Sequence, residues 1–265
     1  MKKQYIIILF LLIGYSLQSQ VLIALLLGDK LNTGKIEFGL DGGVNWANIS
    51  NMDANGWIRN YNLGFYFDIK MKKEPWYLHT GVLVKSNLGL KNLTTEDLEF
   101  LNATTYDAEG DYSQMMSYFI VPAFARYKFK NNIYAEIGPQ FGLMHKAWIE
   151  FDSDIDGNSA LIKQDNKDMI NRIDMGIGAG VGYRLLKGLG WTVGVEYYYG
   201  FINVYKDKSG TKNSAVYLKL NVPIGASAEK KEKIKELKTE LKEKKTKKKQ
   251  EKKEKKKQEK EQNKS

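Results

Sequence analysis

An acidic stretch, DSDIDGN at residues 152–158, has the spacing of a calcium-binding loop because an oxygen ligand stands at every second position. The EF-hand loop places its ligands in this order, but it also requires a glutamate six residues after the glycine. Lys163 stands at that distance from Gly157. The stretch therefore predicts an acidic, solvated loop, with weak Ca²⁺ binding as the alternative.

A glycine-rich stretch, GIGAGVG at residues 176–182, is a second candidate because glycine-rich loops can bind the phosphates of a cofactor. The dinucleotide-binding loop has the spacing G-x-G-x-x-G and opens a helix, whereas these glycines alternate and no helix is expected after them. Alternating glycines predict a β-strand with glycine along one face. We expect no cofactor.

Catalytic and metal-binding side chains are scarce, since the chain has no cysteine and two histidines, His79 and His145. The lack of cysteine excludes disulfides, cysteine-based zinc sites, thiol nucleophiles and a lipid anchor on an N-terminal cysteine. No spacing indicates a Ser-His-Asp triad or a pair of catalytic carboxylates. We predict that the protein is not an enzyme and holds no metal, with catalysis by His79 and an acidic neighbour as the weaker hypothesis.

The charge lies at the two ends of the chain. Residues 229–265 contain 18 Lys and 9 Glu, a net charge of +9, and Lys2 and Lys3 add two more positive charges. Because the whole chain has a net charge of +10, the remainder has a net charge of −1. A near-neutral body offers no basic face to a duplex, so nucleic acid is not predicted as a partner.

The N-terminus indicates export. Lys2 and Lys3 precede the apolar run YIIILFLLI at residues 5–13, which predicts a signal peptide over 1–20 with cleavage near Ser19 or Gln20. The apolar stretch VLIALLL that follows allows an uncleaved membrane anchor as the alternative. Residues 21–34 are assigned to a periplasmic segment that could be a helix, a plug or a strand extension.

The body of the chain, residues 35–224, has a hydrophobic period of two, which is typical of β-strands. In RNYNLGFYFDIKM, for example, every second residue is apolar. The alternation predicts eight strands, at 35–47, 58–71, 76–87, 115–129, 133–150, 172–185, 190–203 and 214–224.

The connections between these strands alternate in length. The short ones are 72–75, 130–132 and 186–189, and the long polar ones are 48–57, 88–114, 151–171 and 204–213. An even number of strands with short turns at one end and long loops at the other is the plan of an outer-membrane barrel. We therefore predict an all-β fold, an eight-stranded antiparallel up-and-down transmembrane β-barrel over residues 35–224.

Alternation alone does not say which face points inward, because a lipocalin barrel is apolar inside and a membrane barrel is apolar outside. The glycines of 176–182 share the polar face, and eight strands leave only enough interior space for side chains. We therefore place the polar face inside, where buried charges need partners. The predicted polar network of the lumen comprises Glu37, Asp41, Asp68, Lys70, Arg126, Glu136, Asp174, Arg184, Glu196 and Lys219.

The second long loop contains one predicted helix. Residues 94–103, TTEDLEFLNA, begin with a capping-box pattern, in which a Ser or Thr is followed three residues later by an acidic or amide side chain. A lid and a binding element are equally compatible with this helix.

Five stretches in order resemble the PorT-like outer-membrane β-barrel proteins of Bacteroidetes. They are EFGLDGGVNWANIS (37–50), YFIVPAFARYKF (118–129), YAEIGPQFGLMHKA (134–147), RIDMGIGAGVGYRL (172–185) and GWTVGVEYYYGFINV (190–204). The resemblance implies an eight-stranded barrel in the outer membrane, and one branch of the family acts in a secretion and gliding machinery. The chain departs from the family at its end, where VYLKLNVPIG and a long tail replace the usual aromatic terminus.

Together these patterns predict an outer-membrane barrel of structural or binding type with a filled lumen. The alternatives are an accessory component of a secretion or transport machinery and, less favoured, an outer-membrane enzyme. An even strand number places both termini in the periplasm. The expected partners are outer-membrane lipid and, through residues 229–265, an anionic cell-wall polymer or an acidic periplasmic protein. The tail, 225–265, is predicted to be of low complexity and partly helical from the apolar stripe of Ile234, Leu237 and Leu241.

Overall fold

Nine antiparallel β-strands form one sheet in the computed structural model, which describes residues 35–155 and 158–225 and, in the tail, 232–237, 239–240, 242–244 and 246. The predicted signal peptide and the segment 21–34 lie outside the described residues. The strands are β1 Ile36–Ile49, β2 Ile58–Lys70, β3 Trp76–Lys91, β4 Asp111–Lys128, β5 Ile133–Ile155, β6 Asn158–Asp165, β7 Ile173–Arg184, β8 Thr192–Asn203 and β9 Lys212–Pro223. A helix α1 spans Thr95–Phe100, and a 3₁₀ turn spans Lys167–Met169.

Eight of these strands close into a ring. The order is β4-β3-β2-β1-β9-β8-β7-β5, and β5 pairs in turn with β4. The first and last strands pair from Gly39 opposite Pro223 to Ile49 opposite Asn213. Closure leaves no free edge among these eight strands. The prediction of an eight-stranded antiparallel barrel is confirmed.

The ninth strand, β6, corrects the prediction that residues 151–171 form a loop. β5 continues to Ile155 and forms a hairpin with β6, in which Trp148 lies opposite Asp165. Phe151 and Ser153 are buried, whereas Asp152 and Asp154 are exposed. The acidic residues therefore concealed the period of two in this part of the sequence. Asp152 and Asp154, which belong to the calcium-like motif, lie on the exposed face of β5.

The outer surface of the barrel carries an apolar belt. Its exposed fractions reach 61% at Ile173, 58% at Val181 and 53% at Trp191. Contiguous apolar surface of this extent is unfavourable in water and matches the lipid-facing band of a membrane barrel. Among the residues that the structure describes, no helix has the length and apolar character needed to cross a bilayer.

The interior has two layers, whereas a polar lumen was expected throughout. The half near the short turns is polar. The half near the long loops holds an apolar cluster that includes Leu88, Leu90, Met116, Tyr118, Ile149, Tyr198 and Tyr205. Part of this cluster results from a break in the alternation: the pairing of β3 with β4 shifts register between Leu83 and Ser86, so that Leu88 and Leu90 face inward. Met116, Tyr118 and Tyr198 face inward by the regular alternation of β4 and β8.

The long loops pack onto this apolar cluster. Helix α1 has the predicted capping box, with Thr94 as its N-cap, and the short helix expected in the second loop is confirmed. The carboxylate of Asp97 also accepts hydrogen bonds from the backbone N–H groups of Asp53 and Ala54, at 3.0 and 2.8 Å. Asp97 therefore joins the first long loop to the second and holds both over the end of the barrel.

Candidate functional site

A buried ion-pair network fills the polar half of the lumen, and Arg126 stands at its centre. The side chain of Arg126 is 1% exposed. Its Nε donates to Glu136 Oε2 at 2.7 Å, and its Nη1 donates to Asp68 Oδ1 and Oδ2 at 3.0 and 3.1 Å. Glu136 faces Arg126 directly across the β4–β5 pair, whereas Asp68 lies on β2 and is reached across β3. Arg126 thus connects strands that are not neighbours in the sheet.

Asp68 contacts two further side chains, His79 and Lys128. His79 Nδ1 lies 2.7 Å from Asp68 Oδ1, and Lys128 Nζ donates to Asp68 Oδ2 at 2.7 Å. His79 faces Asp68 across the β2–β3 pair and is fully buried. The sequence suggested His79 only as a weak catalytic candidate. The alternation of β3 could have placed His79 in the lumen, because His79 lies on the inward face of this strand.

Lys219 is the centre of a second cluster. Its Nζ lies 2.8 Å from Glu196 Oε2, 3.7 Å from Glu136 Oε1 and 3.9 Å from Asp41 Oδ2. Glu136 contacts both Lys219 and Arg126, so it joins the two clusters. Carboxylates and cations from β1, β2, β4, β5, β8 and β9 therefore form one connected network across the lumen. Charges taken out of water in this way need such partners.

An ion pair between Arg184 and Glu37 lies at the short-turn end of the polar half. Arg184 donates from both terminal nitrogens to the two oxygens of Glu37, at 2.8 and 2.7 Å. This is the bidentate geometry that suits a guanidinium and a carboxylate. The hydroxyl of Tyr66 donates to the same carboxylate at 3.0 Å. The pair joins β1 to β7, with Tyr66 contributed by β2.

Two of the predicted network residues lie elsewhere. Lys70 ends β2 and contacts Glu74 in the β2–β3 turn, and its side chain is 36% exposed. Lys70 therefore lies at the rim of the barrel, where its side chain contacts the turn and reaches solvent and does not join the network. Asp174 is buried, but its partner is Asn213 Nδ2 at 2.9 Å, and it lies beside Tyr118 of the apolar half.

Aromatic rings occupy the space between the charged groups. The guanidinium of Arg126 lies 4.2 Å from the ring centroid of Tyr134, which favours a cation–π contact. A Cβ atom at Gly178 would lie 2.6 Å from Phe124 Cζ. The alternating glycines of β7 thus make room for large side chains of other strands, which confirms their interpretation as lumen-facing positions.

Little space is left in the polar half. One cavity, of about 10 Å³, is lined by groups that include Asp41, Asn62, Gln140, Glu196 and Lys219. This volume holds about one water molecule. Within residues 35–155, 158–225 and the described tail positions, no group of three or more His, Asp or Glu side chains is placed to hold a metal ion. The arrangement neutralises charge and fills space.

A closed ring of eight antiparallel strands, with an apolar outer belt and a charged interior, defines a transmembrane β-barrel protein. The model of the outer membrane protein beta-barrel domain family matches residues 18–206, and the chain belongs to this family. No curated protein sequence matches the chain.

Several solved structures are similar to the chain at low sequence identity. The attachment invasion locus protein Ail of Yersinia pestis is 12% identical, with 72% of this chain and 99% of that chain covered and a TM-score of 0.37. Neisserial surface protein A is 12% identical, with 71% and 96% covered and a TM-score of 0.35. OprG of Pseudomonas aeruginosa is 11% identical, with 71% and 93% covered and a TM-score of 0.33.

The network predicts a large stability loss when Arg126 is replaced by methionine. The change removes the guanidinium that Asp68 and Glu136 share and leaves buried negative charge with fewer partners. We expect the free energy of unfolding to fall by about 3 kcal/mol or more. Urea unfolding of the full-length protein in lipid vesicles, followed by tryptophan fluorescence, measures this loss.

The matched control is Lys70→Met, which removes a cation from the same barrel at a solvent-exposed turn. Its unfolding midpoint should equal that of the wild type. Equal midpoints for Arg126→Met and Lys70→Met would contradict the central place of Arg126.

Proposed function

We propose that this protein is a closed outer-membrane barrel of structural or binding type, without a catalytic role, and that it does not conduct solutes. The observation that carries the proposal is the packing of both halves of the lumen. The polar half is filled by the Arg126 and Lys219 clusters, and the other half by the apolar cluster under the long loops.

A solute that crossed the lumen would have to displace buried side chains. A solute that crossed the polar half would separate Arg126 from Asp68 or Lys219 from Glu196, pairs whose side chains are 8% exposed or less. Breaking a buried ion pair costs about 3–5 kcal/mol. The same solute would then meet the packed apolar side chains of Leu88, Leu90 and Met116, which do not replace its hydration. Each layer opposes permeation for a different reason.

The conductance of the barrel in planar lipid bilayers tests this proposal. We expect the full-length protein to insert without a stable conductance, because side chains of the described residues pack both halves of the lumen. Heat-modifiable gel mobility of the same preparation verifies that the barrel is folded. A stable, large conductance from folded protein would show that the lumen is open and would contradict the proposal.

The tail supplies a second part of the proposed role, a periplasmic tether. The described tail positions between 232 and 246 are helical. Lys187 in the β7–β8 turn lies 3.9 Å from Glu240. This contact supports a location of the tail at the short-turn end of the barrel, the end that faces the periplasm in outer-membrane barrels. The net charge of +9 over 229–265 suits an anionic cell-wall polymer or an acidic periplasmic protein.

Deletion of residues 229–265 tests the tether. The deleted protein should lose cosedimentation with isolated cell-wall polymer, because the cationic surface is gone, while its heat-modifiable mobility stays unchanged. Raising the salt concentration should weaken cosedimentation of the full-length protein, since exposed charges are screened. A full-length control in which the lysines of 242–257 are replaced by glutamine should behave like the deletion. Cosedimentation that survives both changes would refute the tether.

One observation favours a second role, that of an accessory component of a secretion or transport machinery, as in the PorT-like branch. In the described part of the chain, β6 pairs with β5 alone, and its Leu161 is 56% exposed. A strand with a free edge and exposed apolar side chains is a surface for a protein partner. Stoichiometric copurification of other proteins from mildly solubilised membranes, lost when Leu161 is replaced by serine, would support this role. Purification of the barrel alone would exclude it.

A further inference from the structure

A cluster of Arg59, Tyr61 and Lys85 lies on the outer surface at the long-loop end of β2 and β3. On β2 the outward positions toward the long loops are Leu63, Tyr61 and Arg59, all exposed. Lys85 lies opposite Leu63 in the β2–β3 pair. The register shift that sends Leu88 and Leu90 inward also turns Lys85 outward, although simple alternation would place Lys85 in the lumen.

Two of the three side chains are in contact, and the third lies on the same face of β2. Lys85 Nζ lies 4.2 Å from the ring centroid of Tyr61 and donates a hydrogen bond to the Tyr61 hydroxyl. Because the Tyr61 oxygen accepts this bond, its own O–H remains able to donate. Arg59 adds a guanidinium two residues along the same face. Among the ion pairs of the described residues, neither Arg59 nor Lys85 has a carboxylate partner.

On other strands, too, a cationic residue follows the apolar belt on the side of the long loops. On the outward face of β5 the cation Lys146 lies beyond Leu143 toward the long loops, and Lys212 occupies the corresponding end of β9. On β4 the first ionisable outward residue is Asp111, at the far end of the strand, and it pairs with Lys91 at 3.6 Å. The boundary of the belt on the long-loop side is therefore cationic on several strands.

The position and chemistry of the cluster select one kind of ligand. A guanidinium, an ammonium and a phenolic O–H match the acceptor oxygens of a phosphate group. The apolar belt begins directly below at Leu63, which is 40% exposed, so a phosphate at the cluster would have its acyl chains against lipid-facing side chains. Basic residues beside a membrane attract anionic lipids. We propose that Arg59, Tyr61 and Lys85 bind the phosphate group of an anionic membrane lipid.

Native mass spectrometry of the full-length protein in detergent tests this site with two lipids that share their acyl chains. Dimyristoylphosphatidylglycerol is anionic, and dimyristoylphosphatidylcholine is zwitterionic. We expect the wild type to retain the anionic lipid about fivefold more than the zwitterionic one, the factor expected for two surface ion pairs. The double variant Arg59→Gln/Lys85→Gln should lose this preference.

Two further variants separate a site from general charge attraction. Lys72→Gln/Lys73→Gln removes the same charge at the short-turn end and should keep the preference, and so should Arg59→Lys/Lys85→Arg. Persistence of the preference in Arg59→Gln/Lys85→Gln, or its equal loss in Lys72→Gln/Lys73→Gln, would overturn the proposal. Inorganic phosphate, added at constant ionic strength, distinguishes a site for lipid phosphate from a site for free phosphate. If the preference for the anionic lipid is retained, the lipid site is supported. If the preference is lost, the cluster binds free anions and the proposal is contradicted.

Discussion

The organisation of this barrel depends on the need of buried charges for opposite charges. Eight strands enclose an interior that side chains fill. Asp68, Glu136 and Glu196 are buried there, and each is held by Arg126 or Lys219. Arg126–Asp68 joins β4 to β2, and Lys219–Glu136 joins β9 to β5. Because neither of these pairs of strands is adjacent in the sheet, the two contacts fix distant parts of the ring relative to one another. Backbone pairing sets each local register, and the ion pairs act across the lumen.

The second constraint is that the chain changes its alternation along the barrel. The register shift in β3 between Leu83 and Ser86, and the one in the β4–β5 pair, change which alternate residues of β3 and β5 face inward. Below the shifts the inward face is charged, and above them it is apolar. The same shift in β3 brings Lys85 to the outer surface. The shift in β3 thus contributes Leu88 and Leu90 to the apolar cluster and Lys85 to the cationic boundary.

The sequence predicted the features that depend on a regular period of two. The eight barrel strands, the inward glycines such as Gly178 and the capped helix at Thr94 follow from alternation and local hydrogen bonding, and the structure has them. It did not predict β6, because acidic residues masked the alternation. The sequence analysis misplaced Lys70, because the position of the turn decides where the strand ends. The sequence analysis also did not predict the apolar half of the lumen, because a register shift leaves no mark in composition. Partners in the network depend on distances across the lumen, which no sequence spacing contains.

The buried network implies that Arg126 and Glu136 stabilise the barrel as an interacting pair, so that their contributions to the free energy of unfolding are not independent. A double-mutant cycle with Arg126→Met, Glu136→Gln and the combined variant, measured by urea unfolding of the full-length protein in vesicles, tests this most directly. We expect a coupling free energy of about 2 kcal/mol or more, because the second substitution removes the charge that the first leaves uncompensated. A coupling below about 0.5 kcal/mol, the value typical of independent sites, would contradict it.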